Sequence, residues 1–259
     1  MEVQMDQDQH KRDMDYLVSR MKQFKLVDMR ENLPDLLAEA RTNSMDHMDF
    51  LLMLFRTEEE GKLRRRHEKL LEGACFDSVH ELEDINYGFN PSLDQDRISS
   101  LGRLGFLKAK ENVIIIGPPG VGKSMIATGI GRKACMAGEK VLFVNAKEFV
   151  DKLYGDMVSG NLMASLAELD RNSLLIIDEL SYLKMDRERE SLFFQVIRRR
   201  YEKGSLIITT NLPIGRWDEL FTGKLAAAAI LDRLLHHCHV ISITGDSYRV
   251  KGYKRDSVN

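Results

Sequence analysis

The sequence predicts an α/β protein: a five-stranded parallel sheet covered on both faces by helices and preceded by a small all-α N-terminal domain. Three observations predict it. Five short, nearly continuous apolar runs recur from residue 112 onward, each preceded or followed by a helical stretch, which is the pattern of strands buried on both faces. From Met14 to about Phe76, by contrast, there is almost nothing but helical periodicity. A glycine-rich string, GPPGVGKS, follows the first apolar run in a strand, loop, helix context.

The helical domain is expected over residues 1–75. Leu33, Leu36, Leu37 and Ala40 fall on one helix face, and Met48, Leu51, Leu52 and Phe55 on a face of the next. Pro34 reads as near the start of its helix, where proline is tolerated, and Ser44 as the cap of the following one. The basic run KLRRRHEK carries Lys62, Arg64, Arg65 and Arg66 beside the acidic run Glu58–Glu60. Spacings of i, i+4 permit ion pairs, so the run reads as a solvated, self-paired face or as a patch for DNA phosphates. The second domain is expected over 76–259, its junction running from Phe76 to Gly105 through the turn NPS at Asn90–Ser92. Its strands read as Asn112–Gly117, Lys140–Asn145, Ser173–Glu179, Ser205–Asn211 and His239–Thr244. The stretch between the second and third strands is longer than one crossover helix needs.

Composition narrows the function classes. With 259 residues, 30% of them charged, the chain suits one medium α/β domain and a smaller attachment. A net charge of −2 gives no bulk attraction to nucleic acid, so any such contact must be local. Cys75, Cys135 and Cys238 lack CxxC spacing, which indicates neither a zinc ribbon nor a disulfide framework and fits a reducing cytoplasm. No apolar stretch approaches the roughly 18 residues that span a bilayer, and the polar N-terminus does not read as a signal peptide, so no membrane partner is expected.

The chemistry sits in two strings. GPPGVGKS, residues Gly117, Pro118, Pro119, Gly120, Val121, Gly122, Lys123 and Ser124, is a full phosphate-binding loop, followed by Met125 on the helix. Its glycines let backbone N–H groups turn toward phosphates, Lys123 reaches the β- and γ-phosphates, and the Ser124 hydroxyl ligates Mg²⁺. The second string, SLLIIDE, ends a buried strand in two carboxylates, and burying a carboxylate is costly unless something binds it. Asp178 is explained as a holder of the Mg²⁺ of a bound nucleoside triphosphate. One acid serves the metal, leaving Glu179 to orient or deprotonate a water, or else to cap the next helix. If SLIITTN is inserted between these two strands, Asn211 at its end reaches the same water and senses the γ-phosphate. The cluster HHCH, His236 to His239, is read as no metal site: neighbouring side chains on a helix end diverge, and no further ligand is evident. Trp217, Phe193 and Phe194 are expected to pack.

GPPGVGKS, LLIIDELSY, FQVIRRRYE, IITTNLPIGRW, LAAAAILDRLLHH and GDSYR, in this order, resemble the IstB family, the ATPase helpers of insertion-sequence transposition. They are similar also to DnaC-type helicase loaders, and both groups are of the AAA+ class. The resemblance is close from about Gly73 to Lys251 and extends to the N-terminal helices by layout only. Ser124 stands where such loops often carry threonine, and either hydroxyl serves Mg²⁺.

The resemblance implies a Mg²⁺-dependent ATPase that assembles as a homo-oligomer on double-stranded DNA, with the transposase of the same element as partner. It implies that Arg233, in DRLLHH, reaches the γ-phosphate held by a neighbouring subunit. The alternatives are a helix-surface ion pair of Arg233 with Asp232 or another acid, and Arg200 as the finger. Arg249, in SYR, is a candidate second sensor, although no helical lid follows it. Lys147 and Lys152 become candidates for DNA contact. A helicase loader with the same engine is the alternative function, and a small-molecule kinase a third that Glu179, Asn211 and Arg233 argue against.

Overall fold

The computed structural model describes residues 2–182 and 185–248. No helix among them is long and apolar enough to cross a membrane. The chain divides into two compact units, Met1–Glu68 and Lys69–Asn259.

The first unit holds α1 (Glu2–Gln23), α2 (Val27–Thr42) and most of α3 (His47–Gly73). Met29, Leu33, Leu36 and Leu54 form its core, with Leu37, Phe50 and Met53 packed around them. The stripe Met48, Leu51, Leu52 and Phe55 stays exposed, because α3 turns Phe50, Met53 and Leu54 inward instead. Pro34 lies inside α2 rather than near its start. The cap of α3 is Asp46, whose carboxylate accepts the Asp49 N–H at 2.8 Å; Ser44 sits two residues earlier at φ +48°.

The basic run is engaged within this unit. Asp28 and Glu58 are buried, and Arg64 reaches Asp28 at 2.9 Å. Arg65 bridges Asp28 and Glu58, and Lys62 pairs with Glu58 at 3.6 Å, one of the i, i+4 pairs the sequence permits. A Cβ on Gly61 would fall 1.9 Å from Asp28 Cγ, so glycine is what lets this carboxylate sit against α3.

The second unit opens with α4 (Gln95–Gly102) and α5 (Gly105–Ala109). It then alternates β1 (Asn112–Ile116), α6 (Lys123–Met136), β2 (Val141–Asn145), α7 (Ala146–Val158), α8 (Leu162–Leu169), β3 (Leu174–Asp178), α9 (Arg187–Arg200), β4 (Ser205–Thr210), α10 (Lys224–Leu235) and β5 (Cys238–Ser242). All pairings are parallel, in the order β2-β3-β4-β1-β5. As expected, β4 is inserted between β1 and β3, and the long β2–β3 crossover carries two helices.

The continuous apolar runs feed two cores at once. Side chains alternate across a strand: Leu174 and Ile176 of β3 join α4, α5 and α6 on one face, while Leu175 and Ile177 join α7, α8, α9 and α10 on the other. Trp217 and Phe193 are fully buried in the second core. Burial of this kind contributes roughly 25 cal/mol per Å² of apolar surface, and it holds the strand ends in one row.

Arg200 ties the opposite end of the sheet. It is 3% exposed, and its guanidinium donates to the carbonyls of Leu169, Asn172, Ser173 and Ser205 at 2.9–3.1 Å. Burial lowers its pKa to about 10, so it remains a cation at neutral pH. This engagement removes Arg200 as an alternative finger.

Candidate active site

Beyond the C-terminal ends of β1, β3 and β4 lies a cleft of about 740 Å³ lined by residues 119–125, Asp178, Glu179 and Asn211. The loop after β1 makes its floor. Gly120 (φ +79°) and Gly122 (φ +98°) take the left-handed conformation that glycine adopts without steric cost. The first two residues of the string do not line the cleft. Gly117 is pressed against Ile243, whose carbonyl a Cβ would approach to 2.6 Å, and the Pro118 carbonyl accepts Lys123 Nζ at 2.8 Å. Lys123 begins α6, so the first turn of that helix, whose N-terminal end carries the positive pole of the helix dipole, and the Lys123 side chain both line the cleft.

Asp178 closes β3 at 6% exposure. Its Oδ1 accepts the Ser124 hydroxyl at 2.9 Å and also the Thr209 hydroxyl from β4. A hydroxyl and a carboxylate brought together from two elements form an all-oxygen donor set, which fits a hard cation such as Mg²⁺. Thr209 is fully buried, and its Oγ1 also accepts the Glu179 N–H at 3.0 Å. One hydroxyl therefore fixes both acids. Glu179 needs that anchor because it adopts φ +60°, which turns its side chain out of the strand line. The exposed Glu179 carboxylate accepts Asn145 Nδ2 at 3.2 Å, from the residue of β2 in register with Asp178. A turn, Leu180–Tyr182, follows directly, and its Ser181 Oγ accepts the Asn211 N–H at 3.1 Å. Both acids and Asn211 thus share one rim, tied by β3-to-β4 hydrogen bonds.

The other wall comes from the segment before α4 and the end of β5. Asn90 Nδ2 and Ser92 Oγ each donate to the Thr244 carbonyl at 2.8 Å, so the NPS turn clasps the chain leaving β5. That chain crosses the phosphate-binding loop: the Tyr248 N–H donates to the Gly120 carbonyl at 2.9 Å, and a Cβ on Gly120 would collide with Ser247. Phe89 and Tyr248 meet edge to face at 4.6 Å and line the cleft together. This is an aromatic corner of the same cleft that the carboxylates line.

Arg233 lies elsewhere. The end of α10 is bound at the start of β1, where Asn112 Nδ2 donates to the Leu234 carbonyl and the Asn112 N–H to the His237 carbonyl. The five residues of β1, a length of about 16 Å, separate it from the loop. Arg233 donates to the Ala229 carbonyl at 2.8 Å and stacks over Phe194 at 5.2 Å, with no bridge to Asp232. Lys147 and Lys152 are exposed on α7. Arg249 lies outside the described residues. Of the HHCH cluster, His239 bonds Glu111 at 2.8 Å, while His236 and His237 gather with Glu202.

Sequence reasoning missed Thr209, Asn145, Ser181, Phe89 and Tyr248. Thr209 stands in the quoted TTN, two residues before Asn211, and the polar end of VLFVN marked Asn145. The aromatic pair is brought together from opposite ends of the domain and left no local signal.

The family model described as IstB-like ATP binding protein matches residues 19–256. The chain is 37% identical over 246 residues to an ATP-binding protein of insertion sequence IS21 from Pseudomonas aeruginosa, covering 95% of this chain and 92% of that one. To its counterpart in insertion sequence IS232 of Bacillus thuringiensis subsp. berliner it is 34% identical over 237 residues, covering 92% and 95%. Among solved structures it is similar to the DnaC helicase loader: TM-score 0.50 and 19% identity over 67% of this chain and 98% of that one. That likeness shows the fold alone, a parallel sheet with helices on both faces.

Proposed function

This chain belongs to the IstB-like ATP-binding protein family, and from that premise we propose that it is a DNA-dependent ATPase which assembles on DNA and assists the transposase of an insertion sequence in target selection. The observation that carries the engine is the convergence of Lys123, Ser124, Asp178, Glu179 and Asn211 on one cleft. The observation that favours transposition over helicase loading is near-full-length similarity to proteins named for insertion sequences, against a likeness to the loader in fold alone.

In this reading residues 119–125, Lys123 among them, hold the triphosphate of ATP, Gly117 and Pro118 shape the loop from behind, and Ser124 and Asp178 hold Mg²⁺. The metal, when bound, neutralises charge on the β- and γ-phosphates. Glu179 orients and deprotonates the attacking water, and Asn211 contacts that water or the γ-phosphate. Arg233 completes the site of a neighbouring subunit, because the length of β1 keeps it from its own. Lys147 and Lys152 contribute sequence-neutral phosphate contacts, and the N-terminal helices meet DNA or the transposase. From the basic run, the contribution narrows to side chains that stay exposed after internal pairing, with Lys62 and Arg64 each more than half exposed.

Thr209 gives this reading a sharp test. Thr209→Val keeps the shape and removes the hydroxyl that holds Asp178 and the Glu179 N–H. A hydrogen bond to a charged group contributes about 1.5–3 kcal/mol. We expect about tenfold lower turnover and a higher Mg²⁺ requirement at nearly unchanged nucleotide affinity, with Thr209→Ser restoring both. Equal Mg²⁺ titrations for Thr209→Val and wild type would remove Thr209 from the site.

Duplex DNA binding is expected to be salt-sensitive, weakly sequence-selective and strengthened by ATP, because assembly aligns several weak phosphate patches. Mobility-shift titrations at two salt concentrations, with and without a non-hydrolysable ATP analogue, check it. Salt-independent binding, or none, would overturn the DNA part of the proposal and leave the ATPase part to its own assay.

A further inference from the structure

His236 and His237 close α10 and lead into β5 with their rings 4.0 Å apart. The turn after α9 brings Glu202 beside them in a left-handed conformation at φ +57°. One ligand atom from each of the three lies within 4.8 Å of the others, and all three residues are exposed. We propose that Glu202, His236 and His237 form a surface site for a transition-metal dication of the zinc class, separate from the Mg²⁺ position in the cleft.

The two objections raised by the bare HHCH string are met by the fold. Adjacent histidines diverge inside a helix, but these stand where α10 ends, and the rings come together. The missing further ligand arrives from a turn more than thirty positions earlier in the chain, which no local pattern signals. The other two members of the string take no part. His239 is held by Glu111 at 2.8 Å, and the Cys238 thiol contacts the His239 carbonyl.

A second observation points the same way. The Tyr201 hydroxyl lies 2.8 Å from His236 Nδ1. Imidazoles that bind metal are oriented by a partner on the other ring nitrogen, and this contact leaves Nε2 for a ligand bond. Two imidazoles and one carboxylate suit zinc, nickel or cobalt, whereas Mg²⁺ takes an oxygen-only set. Ligand bonds of about 2.0–2.2 Å place tetrahedral donors roughly 3.3 Å apart. Three exposed side chains reach that spacing by rotation, leaving a fourth position for water. The bound ion would clamp the turn after α9 to the end of α10, the helix that carries Arg233 one turn earlier.

The test uses the full chain without nucleotide, since ATP itself binds zinc. Equilibrium dialysis with zinc alone is expected to give one site at micromolar zinc, and zinc is expected to raise the thermal midpoint by mass action while equal Mg²⁺ does not. Glu202→Gln and His237→Ala should each weaken zinc binding at least about tenfold, and Tyr201→Phe about tenfold through loss of orientation. All are surface changes, and an unchanged zinc-free thermal midpoint shows that the fold is retained. Uptake of no zinc by the wild type at micromolar concentrations, or one zinc bound as tightly by the His236→Ala, His237→Ala double variant, would overturn the proposal.

Discussion

Glu179→Gln is expected to lose ATP turnover by about a hundredfold or more, the lower end of what a positioned base supplies, while binding Mg²⁺ and ATP nearly as the wild type does. The substitution is selective for a structural reason. Glu179 is exposed on the rim, its backbone N–H is fixed by Thr209, and its side chain accepts from Asn145, a contact that the glutamine carbonyl oxygen reproduces. The backbone keeps its left-handed turn, and only the basic oxygen is lost. Lys123→Ala makes the contrast, because it removes the ammonium assigned to the phosphates and should lose binding itself. Trp217, the sole tryptophan, reports the difference. Its Nε1 donates to the carbonyl of Leu212, the residue after Asn211, so its fluorescence should follow nucleotide in Glu179→Gln and stay unchanged in Lys123→Ala. Wild-type phosphate release by Glu179→Gln would show that another group activates the water.

The order of elements and the two strings at the strand ends were legible in the sequence, because each rests on local chemistry. A short, partly β-branched run such as LLIID, ended by charge, reads as a strand covered on both faces, and GPPGVGKS needs its glycines wherever it occurs. What was not legible rests on contacts distant in sequence. Asp178 announced a ligand, but the hydroxyl that orients it comes from β4, and Thr209 looked like one more β-branched residue of a buried strand. The N-terminal helices show the same limit. Periodicity found the stripe Met48, Leu51, Leu52 and Phe55, yet α3 turns another face inward, because Gly61 lets Asp28 and its arginine partners sit against that side. Arg198, Arg199 and Arg200 are alike in sequence. Packing buries the third against four carbonyls and leaves the second pairing with Asp170.

If Arg233 acts on a neighbour's nucleotide, Arg233→Ala should bind ATP normally and hydrolyse it about a thousandfold more slowly, since a finger arginine contributes at least that in turnover. The fold of one chain favours action in trans. Asn112 holds the end of α10 at the start of β1, while the phosphate-binding loop lies beyond the other end of that strand. Within the subunit the guanidinium rests on Phe194 and the Ala229 carbonyl, contacts weak enough to exchange for a phosphate. Mixing two inactive variants tests the geometry directly. Arg233→Ala subunits retain Glu179, and Glu179→Gln subunits retain Arg233, so some interfaces of a mixed assembly unite an intact cleft with an intact finger. Activity in the presence of DNA should then exceed the sum of the two variants alone. A finger acting within its own subunit gives no recovery, because every chain still lacks one essential group. Absence of recovery while sedimentation confirms mixed oligomers would retire Arg233. The search would not return to Arg200, whose guanidinium is buried against carbonyls and cannot leave without unpairing the ends of β3 and β4.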